Sequence, residues 1–181
     1  PTHRVSFRVD FKSLRKGAEF INKMIHSNVY PSVLEFLDKT SINAVYNYLK
    51  QPVEEGVNAS VIIEIDGNQL EVEERKGKFL KVLEDYEILQ YRCADTPDKQ
   101  EELWHIRRNI SPAISKLRPQ KINEDIVVPV AKIPETVEYI NRMASEHDLI
   151  IIMFGHFGDG NIHTNLMVDP ADEKEMARAH V

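Results

Sequence analysis

His156 and His163 stand either side of Asp159-Gly160 in the run FGHFGDGNIHTN, residues 154–165. Imidazole nitrogens bind metal ions and exchange protons near neutrality, so the question is whether the chain brings these two rings together. Asp-Gly between apolar runs is a strong hairpin signal, because a type I′ turn needs positive φ at both central positions. With Asp159 and Gly160 placed there, Gly158 faces Asn161, Phe157 faces Ile162 and His156 faces His163. Directly opposed side chains have Cβ atoms about 4.5–5.5 Å apart on one face. Two such rings can share an ion at N–metal distances of about 2.0–2.1 Å. The same register puts Met153, Phe157, Ile162 and Leu166 on a core face and His156, Asn161, His163 and Asn165 on a polar one. Two readings fit that polar face: a site for a metal or an anion, or a plain solvated surface. Two imidazoles leave an ion short of ligands, and no third ligand is evident in the sequence. The glycines are spaced G-x-x-G-x-G and run into a strand, so they do not form the G-x-G-x-x-G nucleotide turn, which opens a helix.

Arg107 is the other residue whose position asks for chemistry. It falls four residues after Leu103 and three before Ile110, in the middle of an apolar helical stripe, while His105 and Arg108 point away. A cation there needs a partner, because burying an unpaired charge is costly. Spacing alone favours an ion pair, with Glu124 or Asp125; the alternative is a bidentate grip on a ligand carboxylate. Trp104, beside the stripe, reads as core, and Cys93 as a small buried apolar residue.

The elements that must hold these residues alternate between strand and helix. Residues 4–11 alternate apolar and polar, 12–26 carry a helical stripe, and Val33 to Leu37 is a second strand. Asp38 or Thr40 caps the next helix; Val61 to Ile65 is a strand, and Asp66-Gly67 turns into a helix ending near Leu83. Tyr86 to Arg92 reads as a strand, Thr96-Pro97 as a helix start, and Ile126 to Val130 as a strand after an irregular stretch. A helix from Pro134 to about Ser145 precedes strands at 149–154 and 162–168, and Asp169-Pro170 opens a last helix. This order predicts an α+β layered domain rather than a doubly wound parallel sheet.

Bulk properties bound the function. A chain of 181 residues with 42% apolar content fits one domain, or two small ones sharing a core. A net charge of −6 gives no support to a nucleic-acid or acidic-membrane partner. No apolar run approaches the ~18 residues of a membrane helix. A lone cysteine excludes an internal disulfide and suits a reducing, cytoplasmic location. The chain starts at Pro1 and stops inside its last helix, so it is expected to be a piece of a longer protein.

The hairpin resembles the G-H-x-G-D-G-N-x-H-x-N signature of FAD-linked oxidases of the glycolate oxidase and D-lactate/D-2-hydroxyglutarate dehydrogenase type. LWHIRR at 103–108, KINEDIVVP at 121–129 and YPSVLEFLD at 30–38 are similar to the same family. The resemblance implies a ferredoxin-like α+β cap domain covering residues 1–181, with an antiparallel or mixed sheet and helices on one face. It implies a separate FAD-binding domain outside this chain, a 2-hydroxy-acid substrate between the two, and an electron-acceptor subunit as a further partner. It points to Arg107 and Lys121 near the substrate carboxylate, although Lys121 as a bare residue reads as surface charge; Asn165, on the histidine face, is either a hydrogen-bonding group for substrate or a solvated amide. It also implies His163 in catalysis, and a divalent metal such as zinc on His156 and His163 with further ligands beyond Val181. Two other classes compete: a free-standing metal or small-molecule binding module, and a structural domain whose hairpin docks a partner subunit.

Overall fold

A computed structural model of the chain describes residues 3–180. The elements are β1 (His3–Phe11), α1 (Leu14–Ile25), β2 (Val33–Asp38), α2 (Lys39–Tyr48), β3 (Ala59–Gly67), α3 (Gln69–Glu84) and β4 (Gln90–Ala94). They continue with α4 (Pro97–Arg108), α5 (Ile110–Ile114), β5 (Gln120–Val127), α6 (Ile133–Glu146), β6 (Ile150–Gly155), β7 (Asn161–Val168) and α7 (Glu173–Ala179). Most helix starts follow side-chain capping. Ser13 accepts from the N–H of Lys16, Asp38 from that of Ser41 and Thr96 from that of Lys99, while Asn68 and Glu71 form a reciprocal capping box.

The strands form one sheet in the order β4-β1-β3-β2-β6-β7-β5, every neighbouring pair antiparallel. The first four have the order of a ferredoxin-like β-α-β-β-α-β unit, interrupted by α2. The remaining three extend it from the outer edge of β2. The seam between the parts is narrow: β2 and β6 are in register only at Phe36 with Gly155 and Leu37 with Phe154. Asp38 reinforces it by accepting a 2.7 Å hydrogen bond from the backbone N–H of Met153.

The α+β class and antiparallel sheet are those expected, but helices cover both faces rather than one. Val5, Phe7, Phe36, Val61 and Ile63 pack with residues of α1, α3 and α6, whereas Leu37, Ile62, Ile152 and Phe154 pack with residues of α2, α4 and α5. The cause is legible in Val61-Ile62-Ile63: consecutive apolar residues in a strand point to opposite faces, so both need cover.

Several boundaries differ from the sequence reading. The strand expected to run to Val130 stops at Val127, with residues 130–132 in a 3-10 turn, and Ile110 opens α5 rather than continuing α4. β5 begins at Gln120, inside the stretch taken as irregular, because an edge strand with both faces open needs few apolar residues. β4 starts at Gln90, since Tyr86 turns inward against Phe20, with ring centroids 5.1 Å apart. The last helix is capped by Asp172, while Asp169 closes a tight turn on the N–H of Ala171.

Candidate functional site

The hairpin is not a two-residue turn. β6 ends at Gly155, residues 157–159 form a single 3-10 turn, and Gly160 closes it in the left-handed region at φ 84°. Phe157 decides this: its ring stacks on Phe36 of β2, with centroids 4.3 Å apart and planes 12° from parallel, and pulls the loop toward the first core. Opposite His163 therefore stands Phe154, not His156. The two imidazoles are still neighbours, with ring centroids 5.8 Å apart. The expected proximity holds by a different register.

That register gives His156 a different partner. Phe36 lies opposite Gly155, so one further step along the antiparallel pair brings His156 across from Glu35. The His156 ring meets Glu35 through its Nδ1. The same carboxylate accepts from Nε of Arg107 at 2.7 Å, and the guanidinium carbon lies 5.1 Å from the centre of the Phe154 ring. Arg107 does have an ion-pair partner, but it is Glu35 rather than Glu124 or Asp125. Its two terminal nitrogens make no hydrogen bond among the described residues.

Asp125 belongs to His163. The two stand opposite on β5 and β7, and Oδ1 accepts from Nδ1 at 2.7 Å. A carboxylate only accepts, so Nδ1 carries the hydrogen, and in the neutral ring Nε2 is left with its lone pair. The site is thus a row across four strands on the second face of the sheet: Glu35 on β2, His156 just past β6, His163 on β7 and Asp125 on β5, with Arg107 reaching in from α4. Gly155 makes room for it. Its φ is 135°, and a Cβ there would come within 2.6 Å of the His163 ring. Beside Glu35 and His156 opens a groove of about 700 Å³, walled by Ile25, Tyr30, Leu34 and Trp104. Trp104 packs against the second core as expected and also walls this groove, its indole N–H donating to the buried carboxylate of Glu64 at 3.2 Å.

Asn165 and Lys121 sit elsewhere. Asn165 is on the same face as His163 but fully buried rather than solvated, and neither amide atom finds a partner among the described residues. Lys121 pairs with Met167 on the exposed edge strand, roughly 13 Å along from Asp125 at about 3.3 Å per residue. Glu35 is the residue that sequence reasoning missed. The signal was available: a lone carboxylate inside the apolar run Val33 to Leu37 needs a partner by the same argument applied to Arg107.

Two cofactors can be tested against these residues. Each imidazole offers its Nε2 with Nδ1 held by a carboxylate, the arrangement that orients histidine ligands of metals, so the pair fits as part of a metal site. Among the described residues no group of three or more ligating side chains occurs. A dinucleotide finds no phosphate cradle in the glycine-rich loop. The N–H of Asp159 is spent on His156 O, that of Gly160 on Phe157 O and that of Asn161 on the Asp159 side chain.

Comparison with known proteins settles the family. Residues 1–181 match FAD linked oxidases, C-terminal domain. The chain belongs to this family. It is 30% identical over 168 residues to the glycolate oxidase subunit GlcD of Bacillus subtilis, a match covering 93% of this chain and 36% of the relative. It is 24% identical over 182 residues to a probable mitochondrial D-lactate dehydrogenase of Danio rerio, covering 99% and 36%. The chain thus spans about a third of the length of these relatives. Among solved structures, p-cresol methylhydroxylase with substrate bound superposes with a TM-score of 0.73 at 12% identity, covering 99% of this chain and 42% of that one, which shows a shared fold. Among the described residues no helix is long and apolar enough to cross a membrane.

Proposed function

We propose that this chain is the substrate-side cap domain of an FAD-dependent oxidoreductase that converts a small 2-hydroxy acid, of the glycolate or D-lactate kind, to the 2-oxo acid. One observation carries the reading: a guanidinium with two unengaged nitrogens and an imidazole with an open Nε2 flank the same ring, Phe154, at 5.1 Å and 5.5 Å. A 2-hydroxy acid carries its carboxylate and hydroxyl on adjacent carbons, so an anion fork and a proton acceptor gathered at one aromatic ring suit its two groups. The terminal nitrogens of Arg107 grip the carboxylate, a geometry a planar guanidinium provides and an ammonium does not. Nε2 of His163 takes the hydroxyl proton, with Asp125 holding the ring in the required tautomer. The same two Nε2 atoms, of His156 and His163, would alternatively hold a divalent metal such as zinc, which would polarise the hydroxyl in place of proton acceptance by His163, its remaining ligands coming from outside the described residues. FAD, seated on another domain of the same protein, supplies the oxidant. This reading assigns no substrate contact to Lys121, which is distant along β5, or to Asn165, which is closed to solvent. An electron-acceptor subunit and a cytoplasmic location complete it, the latter supported by the single cysteine.

The test is His163→Ala in the intact protein, with steady-state kinetics on 2-hydroxy acids and metal content measured together. Removing a general base is expected to lower kcat/KM by about 10²–10⁴-fold. Unchanged kcat/KM together with unchanged metal content sinks the reading.

A further inference from the structure

We propose that Glu35 is a positioning residue, one buried carboxylate that fixes both the aim of the Arg107 guanidinium and the tautomer of His156. The inference rests on the function proposed above only for the use made of those two side chains.

Glu35 lies on β2, an inner strand between β3 and β6, with its side chain 3% exposed. Its Oε2 accepts from Arg107 Nε, and its Oε1 meets His156 Nδ1. Two donors, one to each oxygen, offset the cost of burying the carboxylate, which would be severe for an unpaired ion. The chemical consequence is directional. Both oxygens only accept, so the hydrogen of neutral His156 sits on Nδ1 and the lone pair on Nε2. The guanidinium is engaged through its inner nitrogen, and among the described residues both terminal nitrogens are left open to a ligand.

Glu35→Gln separates this role from plain packing, because the side chain keeps its shape and loses one acceptor. Arg107 Nε cannot accept, so the amide oxygen turns to Arg107 and the amide NH₂ to His156. Nδ1 of His156 must then carry the lone pair, and the hydrogen moves to Nε2. Arg107 keeps an acceptor, while His156 presents the wrong face to the site.

The experiment uses the full-length protein labelled with ¹⁵N-histidine, stripped with a chelator and studied by NMR at mildly alkaline pH, where imidazole is neutral. In the native protein His156 is expected as the Nδ1–H tautomer. In Glu35→Gln it is expected as Nε2–H, with His163 unchanged because Asp125 still holds it. Kinetically, kcat is expected to fall about 10- to 100-fold, the range seen when a partner of a site histidine is lost, with KM little changed. A His156 tautomer that is the same in both proteins overturns the inference. So does an Nε2–H tautomer in the native protein, a measurement that stands even if the variant fails to fold. A tautomer swap with kcat untouched leaves the role of Glu35 standing and removes His156 from the proposed reaction.

Discussion

Arg107 carries its charge on the apolar side of α4 and is held there by one hydrogen bond from its inner nitrogen and by the face of Phe154. Arg107→Lys isolates what the fork contributes. A lysine keeps the positive charge but is a point charge on a flexible stem, with no planar pair of donors. Losing one charge-assisted hydrogen bond to a substrate carboxylate costs about 1.5–3 kcal/mol. KM for the 2-hydroxy acid is therefore expected to rise roughly 10- to 100-fold in the intact protein. Steady-state kinetics check this, and an unaltered KM would remove Arg107 from the carboxylate site. The need for a partner was readable from the helical stripe, and its identity was not. Periodicity says which way a side chain faces, but not which strand passes beneath it. Glu35 precedes Arg107 by 72 residues, and only the order of the sheet brings them together.

At the scale of elements, the segment from β6 to β7 shows where local rules stop. The strands β6 and β7, the caps at Asp38 and Thr96 and the placing of Gly160 at positive φ were written in short stretches of sequence. The turn type was not, because Phe157 buries its ring against Phe36, a partner on another strand, and tertiary burial overrides the Asp-Gly preference. β5 escaped for the opposite reason: as an exposed edge strand, it carries little of the apolar patterning that marks strands. Gly155 is where this segment is least tolerant. Gly155→Ala would force an L-residue to φ 135° and drive its Cβ into the His163 ring. Strain of this kind costs about 1–3 kcal/mol. Denaturant unfolding should show that loss, together with lower turnover as the ring leaves Asp125. Native stability and native turnover in the variant would refute the account.

For the molecule as a whole, the ferredoxin-like part and its three-strand extension meet at a two-position seam clasped by Asp38. Burial raises this carboxyl from 3.8 to about 6, against the opposing hydrogen bonds from Ser41 and Met153. Between those two values the folded protein keeps a proton that the unfolded chain has released. Stability from this group is therefore present at low pH and is lost as pH rises from 3.8 to about 6, with no further change above. The span corresponds to on the order of 3 kcal/mol. Urea unfolding across pH, with Asp38→Asn as reference, should show a difference that declines over this window and then levels off. A flat difference would mean that the clasp does not titrate there.

β5, the strand that carries Asp125, is the last in the sheet, and its outer side has no neighbour among the described residues. Rims of sheets open more readily than their interiors. The aim of His163 thus hangs on the part of the protein that loosens first, while the arginine anchor is fastened to an interior strand. Partial melting of the rim would spoil proton removal before it weakened capture of the acid.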